Sequence, residues 1–294
     1  MYLVAGGNLA QGLRGVSASA AAMQTALADL VVWITGASGG IGRALAEAFA
    51  AEGSLLGLHA GGHLADLQAW VAGLKWRDRA HLGAADVRDP AALDEQARAL
   101  VARFGRIDVC IVNAGIWPPD DVALDAQAPE RVRDVVETNL LGAIWTARAF
   151  LARLAESGPR PDGRGASLIF VGSTAGRFGE AGHAEYAASK AALRGLVLSL
   201  KNEIARLDPH GRCNLVEPGW TLTPMVAEHV GARAHAADET APIERALSTM
   251  PLRQLARPED IAAAAVYLAS PALARHVTGE TITVAGGMEG RRLW

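Results

Sequence analysis

From about residue 30 onward, short apolar runs alternate with helix-length amphipathic segments, and no other feature of the chain restricts its fold as much. The run Leu30-Val31-Val32-Trp33-Ile34-Thr35 is apolar up to its last residue and stops at glycines, as expected of a strand covered on both faces. Residues 41–51 then place apolar side chains at helical spacing, and Gly53 ends them. Further strands are expected at 55–59, 80–85, 107–112, 167–171, 212–216 and 281–284. Helices are expected at 64–74, 90–104, 184–207 and 258–269, with one long helix through 132–154 that no proline interrupts. Repeated strand–helix–strand units bring each strand back to the same end of the sheet, so the strands run parallel. No second series and no linker follows. The expectation is one doubly wound α/β domain over residues 30–294, a mostly parallel seven-stranded sheet with helices on both faces.

Composition narrows the function. Half the residues are apolar and 20% are charged, which supplies a large core; the formal net charge is only -3, with no basic run for a phosphate backbone. Nucleic acid is therefore not an expected partner. No apolar stretch is long enough to span a bilayer, so no membrane partner is expected either. The two cysteines, Cys110 and Cys213, sit in strand-like apolar runs and have neither disulfide nor metal spacing, which suits a reducing, cytoplasmic setting and two core thiols. Residues 1–29 are rich in Ala and Gly, with Arg14 the one basic residue; they read as a loosely ordered extension, and Met23 offers a second start.

Between the first strand and first helix stands Thr35-Gly36-Ala37-Ser38-Gly39-Gly40-Ile41-Gly42. A turn there presents free N–H groups and the positive end of a helix to a pyrophosphate, and small residues let the backbone approach it. An ordinary glycine-rich turn has the same composition; its place after the first strand favours a dinucleotide. Further on, Tyr186 and Lys190 form an i, i+4 pair on one helix face. A free tyrosine titrates near about pH 10, and a neighbouring ammonium favours the phenolate and brings it into range as an acid/base. Ser173, thirteen positions before Tyr186, follows an expected strand at the end where open α/β sheets bind ligands. Any exposed helix can carry a Tyr/Lys pair; the combination with Ser173 and the glycine turn is what makes it specific.

The spacing through Gly36, Gly40 and Gly42, with Ser173, Tyr186 and Lys190, resembles the short-chain dehydrogenase/reductase family. The resemblance covers roughly residues 30–290 and implies a Rossmann-type fold, a nicotinamide dinucleotide, and ketone/secondary-alcohol interconversion with Tyr186 as acid/base. It adds Asn139 as a fourth catalytic residue, holding a water that relays protons to Lys190; a mid-helix Asn is a poor helix former, and its alternative is a solvated face. The cofactor would lie against Gly36, Ser38, Gly39, Gly40, Ile41 and Gly42, with Tyr186 and Lys190. Asp86-Val87 would meet adenine, Asn113-Ala114-Gly115 would shape the cleft, and Pro218, Gly219, Thr221 and Thr223 would meet the nicotinamide end. Ala285 stands where the family often has an Asp.

Ribose selectivity falls on Ala60, followed by Gly61 and Gly62, so no acid stands there to accept ribose hydroxyls or repel a 2′-phosphate. Position 39 is Gly, where NADP-binding relatives usually carry a basic residue. His59 or His63 is a candidate phosphate contact or a surface histidine. NADP(H) is favoured over NAD(H). Residues 225–252 are expected to form a substrate lid; its His229, His235, Asp238 and Glu239 are too irregularly spaced for a metal, and no metal is expected. Trp117, Phe178, His183 and Trp220 are the candidate substrate contacts, with packing as the alternative for each Trp; Glu180 lies in the same stretch. The substrate is a small carbonyl or alcohol, with 3-oxoacyl thioester reduction as the leading use and a sugar, polyol or cyclic alcohol as the alternative. A non-catalytic NADP sensor or scaffold is the reading of another class. Family resemblance also implies a homotetramer (or dimer) pairing the helices 132–154 and 184–207, with Arg291-Arg292-Leu293-Trp294 reaching a neighbour.

Overall fold

The computed structural model describes residues 24–233, 241–288 and 290. The strands are β1 (Val31–Thr35), β2 (Leu55–Ala60), β3 (Ala80–Ala84), β4 (Val109–Val112), β5 (Ser167–Val171), β6 (Arg212–Pro218) and β7 (Thr281–Val284). They form one sheet in the order β3-β2-β1-β4-β5-β6-β7, and every neighbouring pair is parallel. After β3 the chain returns to the far side of β1 and adds β4 there, so the sheet changes its direction of growth between β1 and β4.

The helices are α1 (Gly40–Ala51), α2 (Leu64–Ala72), α3 (Pro90–Phe104), α4 (Pro129–Val136), α5 (Gly142–Ser157), α6 (Ala175–Phe178), α7 (Ala184–Leu207), α8 (Pro224–Arg233), α9 (Ala241–Ser248) and α10 (Pro258–Ala269). Alternation along β1 shows how they divide. Val32 and Ile34 pack with Leu45 and Phe49 of α1, Leu67 of α2 and Ile261 of α10. Trp33, between them, packs on the opposite face with Leu93 of α3, Phe150 of α5 and Val197 of α7. Both cysteines lie buried in that second layer, and burial pushes both thiols up in pKa. A smaller cluster of Trp220, Ala246, Met250, Ala285 and Met288 sits beyond β6 and β7.

Two expectations change. The long helix starts at Pro129 and is broken: a π-helical turn over Glu137–Leu141 separates α4 from α5. Asn139 lies in that turn, its amide committed to a loop and to α7 rather than solvated, and such turns concentrate at functional sites. The extension is also shorter than expected. Leu27 is fully buried in the core, Ser54 Oγ donates to its carbonyl, Ser270 Oγ donates to that of Thr25, and Arg164 Nη1 donates to those of Ala26 and Ala28. Residues 25–28 are thus a strap across the N-terminal ends of the strands, while 1–23 lie outside the described residues. The same is true of His235, Asp238, Glu239 and Arg291-Arg292-Leu293-Trp294. Within the expected lid the described residues include α8 and α9, while 234–240 lie outside the described residues.

Candidate active site

Where β1 and β4 diverge, their C-terminal ends open into a groove with two lobes of about 370 Å³ each. Gly36, Ala114, Gly115 and Ile116 line both. This is the switch point at which open parallel sheets bind ligands. Gly36 has φ +65, and a Cβ on it would come within 2.8 Å of Ala114 Cα; a Cβ on Gly40 would meet Thr223 at 2.9 Å, and one on Gly42 the Gly36 carbonyl at 2.2 Å. Glycine is thus required here by packing as well as by approach to a ligand. Thr35 Oγ1 accepts from Asn113 N at 3.1 Å and Ala114 N at 3.2 Å, and Asn113 Nδ2 donates to the carbonyls of Thr35 and Gly36. The loop after β4 is therefore stapled to the turn after β1.

One lobe gathers the candidate pair Tyr186 and Lys190. Ser38, Gly39, Gly40, Ile41 and Gly42 line it, with Asn113, Val171, Gly172, Tyr186, Lys190 and Thr223. Tyr186 and Lys190 reach it from the first turns of α7, with Lys190 Nζ 5.9 Å from the Tyr186 ring centre. Lys190 is buried and donates to the Val171 carbonyl at 3.1 Å; burial lowers its pKa to about 8, so it remains mostly an ammonium at neutral pH. Asn139 Nδ2 donates to the Ile116 carbonyl at 2.9 Å and to Ser189 Oγ at 3.2 Å, while its Oδ1 accepts from Ile116 N at 2.8 Å. A Cβ on Gly115 would lie 3.0 Å from Asn139 Oδ1 and 3.1 Å from Lys190 Nζ, which puts both around one gap. Ser173 is buried just after Val171 and Gly172; its Oγ accepts from Ala175 N, and its O–H has no acceptor among the described residues.

The second lobe runs past His59, Ala60, Gly61, Gly62 and His63 to Asp86, Val87 and Arg88. Asp86 is chelated by Arg88, at 2.6 to 3.0 Å, which holds its carboxyl below the usual range. His59 is not at the surface: it is 2% exposed, stacks on Trp33 at 6.2 Å, and burial lowers its pKa to about 4, so it is neutral at physiological pH. The end of β2 carries no acid at Ala60, Gly61 or Gly62, but one reaches the groove from further along the chain. Asp66, in the first turn of α2, lines the groove and pairs with His63 at 3.3 Å.

The substrate candidates separate. Trp117 stands over the catalytic end, its ring centre 6.0 Å from that of Tyr186 and 5.8 Å from that of Trp220. Phe178 packs beside them. His183 is not presented to the groove: its side chain is fully buried, Nε2 meets Asp121 at 2.8 Å, and Nδ1 faces Arg131 at 3.1 Å. Because an arginine only donates, Nδ1 is the acceptor and Nε2 carries the proton. Trp220 is 3% exposed and serves as a buried wall. Pro218 and Gly219 stay in the backbone of β6 and its exit. Thr221 is buried with its hydroxyl turned back to the Gly219 carbonyl, leaving Thr223 as the threonine that lines the groove.

The chain matches the family described as Enoyl-(Acyl carrier protein) reductase over residues 36–289. It is 33% identical over 259 residues to the 3-oxoacyl-[acyl-carrier-protein] reductase of Escherichia coli, covering 88% of this chain and 96% of that one. This chain is a short-chain dehydrogenase/reductase. To the L-rhamnose 1-dehydrogenase (NAD(P)(+)) of Azotobacter vinelandii it is 35% identical over 271 residues, covering 89% of this chain and 97% of the relative. Among solved structures, a short-chain dehydrogenase/reductase of the glucose/ribitol dehydrogenase type from Brucella melitensis superposes with TM-score 0.76 at 30% identity, covering 88% and 96% of the two chains. The 3-ketoacyl-(acyl-carrier-protein) reductase from the same organism, complexed with NADH, gives 0.77 at 26% identity, covering 89% and 98%.

The groove fits a dinucleotide by its own geometry: a turn with no room for a Cβ on Gly36, Gly40 or Gly42, a helix N-terminus behind it, and apolar Val87 and Ile116 for a base. Sequence reasoning missed Thr35 as the staple, and also Arg43, Asp66, Arg88 and Ile116 as groove residues. Thr35 carried a legible signal, a polar residue closing an apolar strand directly before the glycine turn. For the others, a place in the groove is decided by how elements distant in sequence pack around it.

Proposed function

We propose that this reductase interconverts a ketone and a secondary alcohol, with Tyr186 moving the proton at the substrate oxygen. The observation that carries this is Tyr186 and the buried Lys190 facing the groove that the glycine turn lines. A bound nicotinamide supplies or accepts the hydride. Lys190 holds positive charge beside the Tyr186 ring and favours its phenolate. The Ser173 O–H is the donor that orients the substrate oxygen. Asn139 pins Ile116, and the gap left by Gly115 gives a water room to connect Asn139 to Lys190, completing a proton relay. NADP(H) is the preferred cofactor.

Among carbonyl substrates, a 3-oxoacyl thioester suits the wall of Trp117, Trp220 and Phe178 better than a polyol, whose hydroxyls need polar partners. A sugar or cyclic alcohol remains the second reading, supported by 35% identity to the rhamnose enzyme. A pure NADP sensor has no use for a proton relay. The enzyme works in the cytoplasm as a homotetramer. Tyr186→Phe should keep dinucleotide binding, read by fluorescence titration, and lose about 10²–10⁴-fold in turnover against a ketone panel, the range general acid–base catalysis supplies. Undiminished turnover would sink the assignment.

A further inference from the structure

Arg43 follows the last glycine of the turn and projects from α1 into the groove, beside Ser38, Gly39, His63 and Asp66. Two contacts hold it. Its Nε donates to the Ser38 carbonyl at 3.0 Å, and its guanidinium carbon lies 5.2 Å from the ring centre of Trp70 on α2. The two terminal nitrogens have neither a hydrogen bond nor an ion pair among the described residues. A guanidinium fixed at one nitrogen, stacked on an aromatic face and open at its fork is built to take an oxyanion in a bidentate way. Ala60, Gly61 and Gly62 offer no side chain that would compete with it for the adenosine ribose.

We infer that Arg43, braced by Trp70, reads the 2′-phosphate of NADP(H) and sets the cofactor preference of this chain. The inference rests on the nicotinamide reading above and gives the preference a residue. Asp66 opposes Arg43, but that carboxylate is 69% exposed and paired with His63, so solvent screens it. The guanidinium is half-buried and keeps more of its field.

Calorimetric titration with 2′,5′-ADP and with 5′-ADP tests this without turnover. The unmodified chain should bind 2′,5′-ADP at least about ten-fold more tightly, and added salt should erode the difference. Arg43→Gln should bring the ratio close to one while leaving 5′-ADP affinity within about two-fold, and Arg43→Lys should keep part of the preference, since it retains charge without the fork. Trp70→Leu should weaken 2′,5′-ADP alone. Equal binding by the unmodified chain, or an undiminished ratio in Arg43→Gln, overturns the role of Arg43. Tighter binding of 5′-ADP assigns the lobe to Asp66 and NAD(H) instead. Binding of neither nucleotide overturns the nicotinamide reading itself, and with it this one.

Discussion

Lys190 is buried beside Tyr186 with one carbonyl acceptor, and its pKa falls from 10.5 to about 8. A drop of that size corresponds to about 3 kcal/mol by which the fold disfavours the ammonium, at 1.36 kcal/mol per unit. Lys190→Met should therefore abolish turnover yet raise stability by about 2 kcal/mol at pH 7, once the lost hydrogen bond to Val171 is allowed for. The pH dependence follows. Between pH 8 and 10.5 the unfolded chain holds a proton at this lysine that the native chain has released, so the wild-type protein gains stability from this group as pH rises. The advantage of Lys190→Met should accordingly shrink from pH 7 to pH 9.5, read from urea midpoints. An unchanged or larger advantage at pH 9.5 would contradict the burial argument.

At the level of elements, the turn between β1 and α1 tolerates little change. A Cβ on Gly42 would lie 2.2 Å from the Gly36 carbonyl and 2.7 Å from Ala37 Cα, both backbone atoms that cannot swing aside. Gly42→Ala should cost about 2 kcal/mol or more in denaturant unfolding and weaken dinucleotide binding at least about ten-fold; near-native values for both would mean the turn has slack. Elements like α3 were legible in advance because their signals are local: Asp89 accepts from Ala91 N and Ala92 N, Pro90 opens the helix, and Gly105 closes it at φ +87. Tyr186 and Lys190 were legible for the same reason, being one helical turn apart. The break between α4 and α5 was not, because apolar spacing runs on through it; what opens the helix is Asn139 bonding to Ile116, 23 residues away. His183 is similar. Its burial is decided by Asp121 and Arg131, 62 and 52 residues distant, and no pattern around position 183 encodes them. Arg43 needed Trp70, which lies on another helix.

The whole molecule keeps chemistry and cohesion at opposite ends of its sheet. The groove occupies the C-terminal ends of the strands; at the other end Asp108, fully buried, accepts from Val31 N, Arg106 and Arg160. The proposed subunit contact falls on a third surface. Ala184, Ala188, Ala191, Gly195, Leu198 and Asn202 are exposed at helical spacing along α7, and Leu198 is 48% exposed. Small residues there allow two helices to approach closely, and this face is the expected contact between subunits. Leu198→Glu should lower the mass in sedimentation from that of the proposed homotetramer while leaving dinucleotide binding within about two-fold, since a charge at a packed apolar contact is costly. A monomeric wild-type protein would remove the basis for this. The strap of residues 25–28 meets Ser54, Arg164 and Ser270 on the side away from the groove. Exchanging residues 1–23 for an anchoring tag would therefore fix each subunit to a support by its inert end, with the mouth of every groove turned toward the solution that carries its reactants.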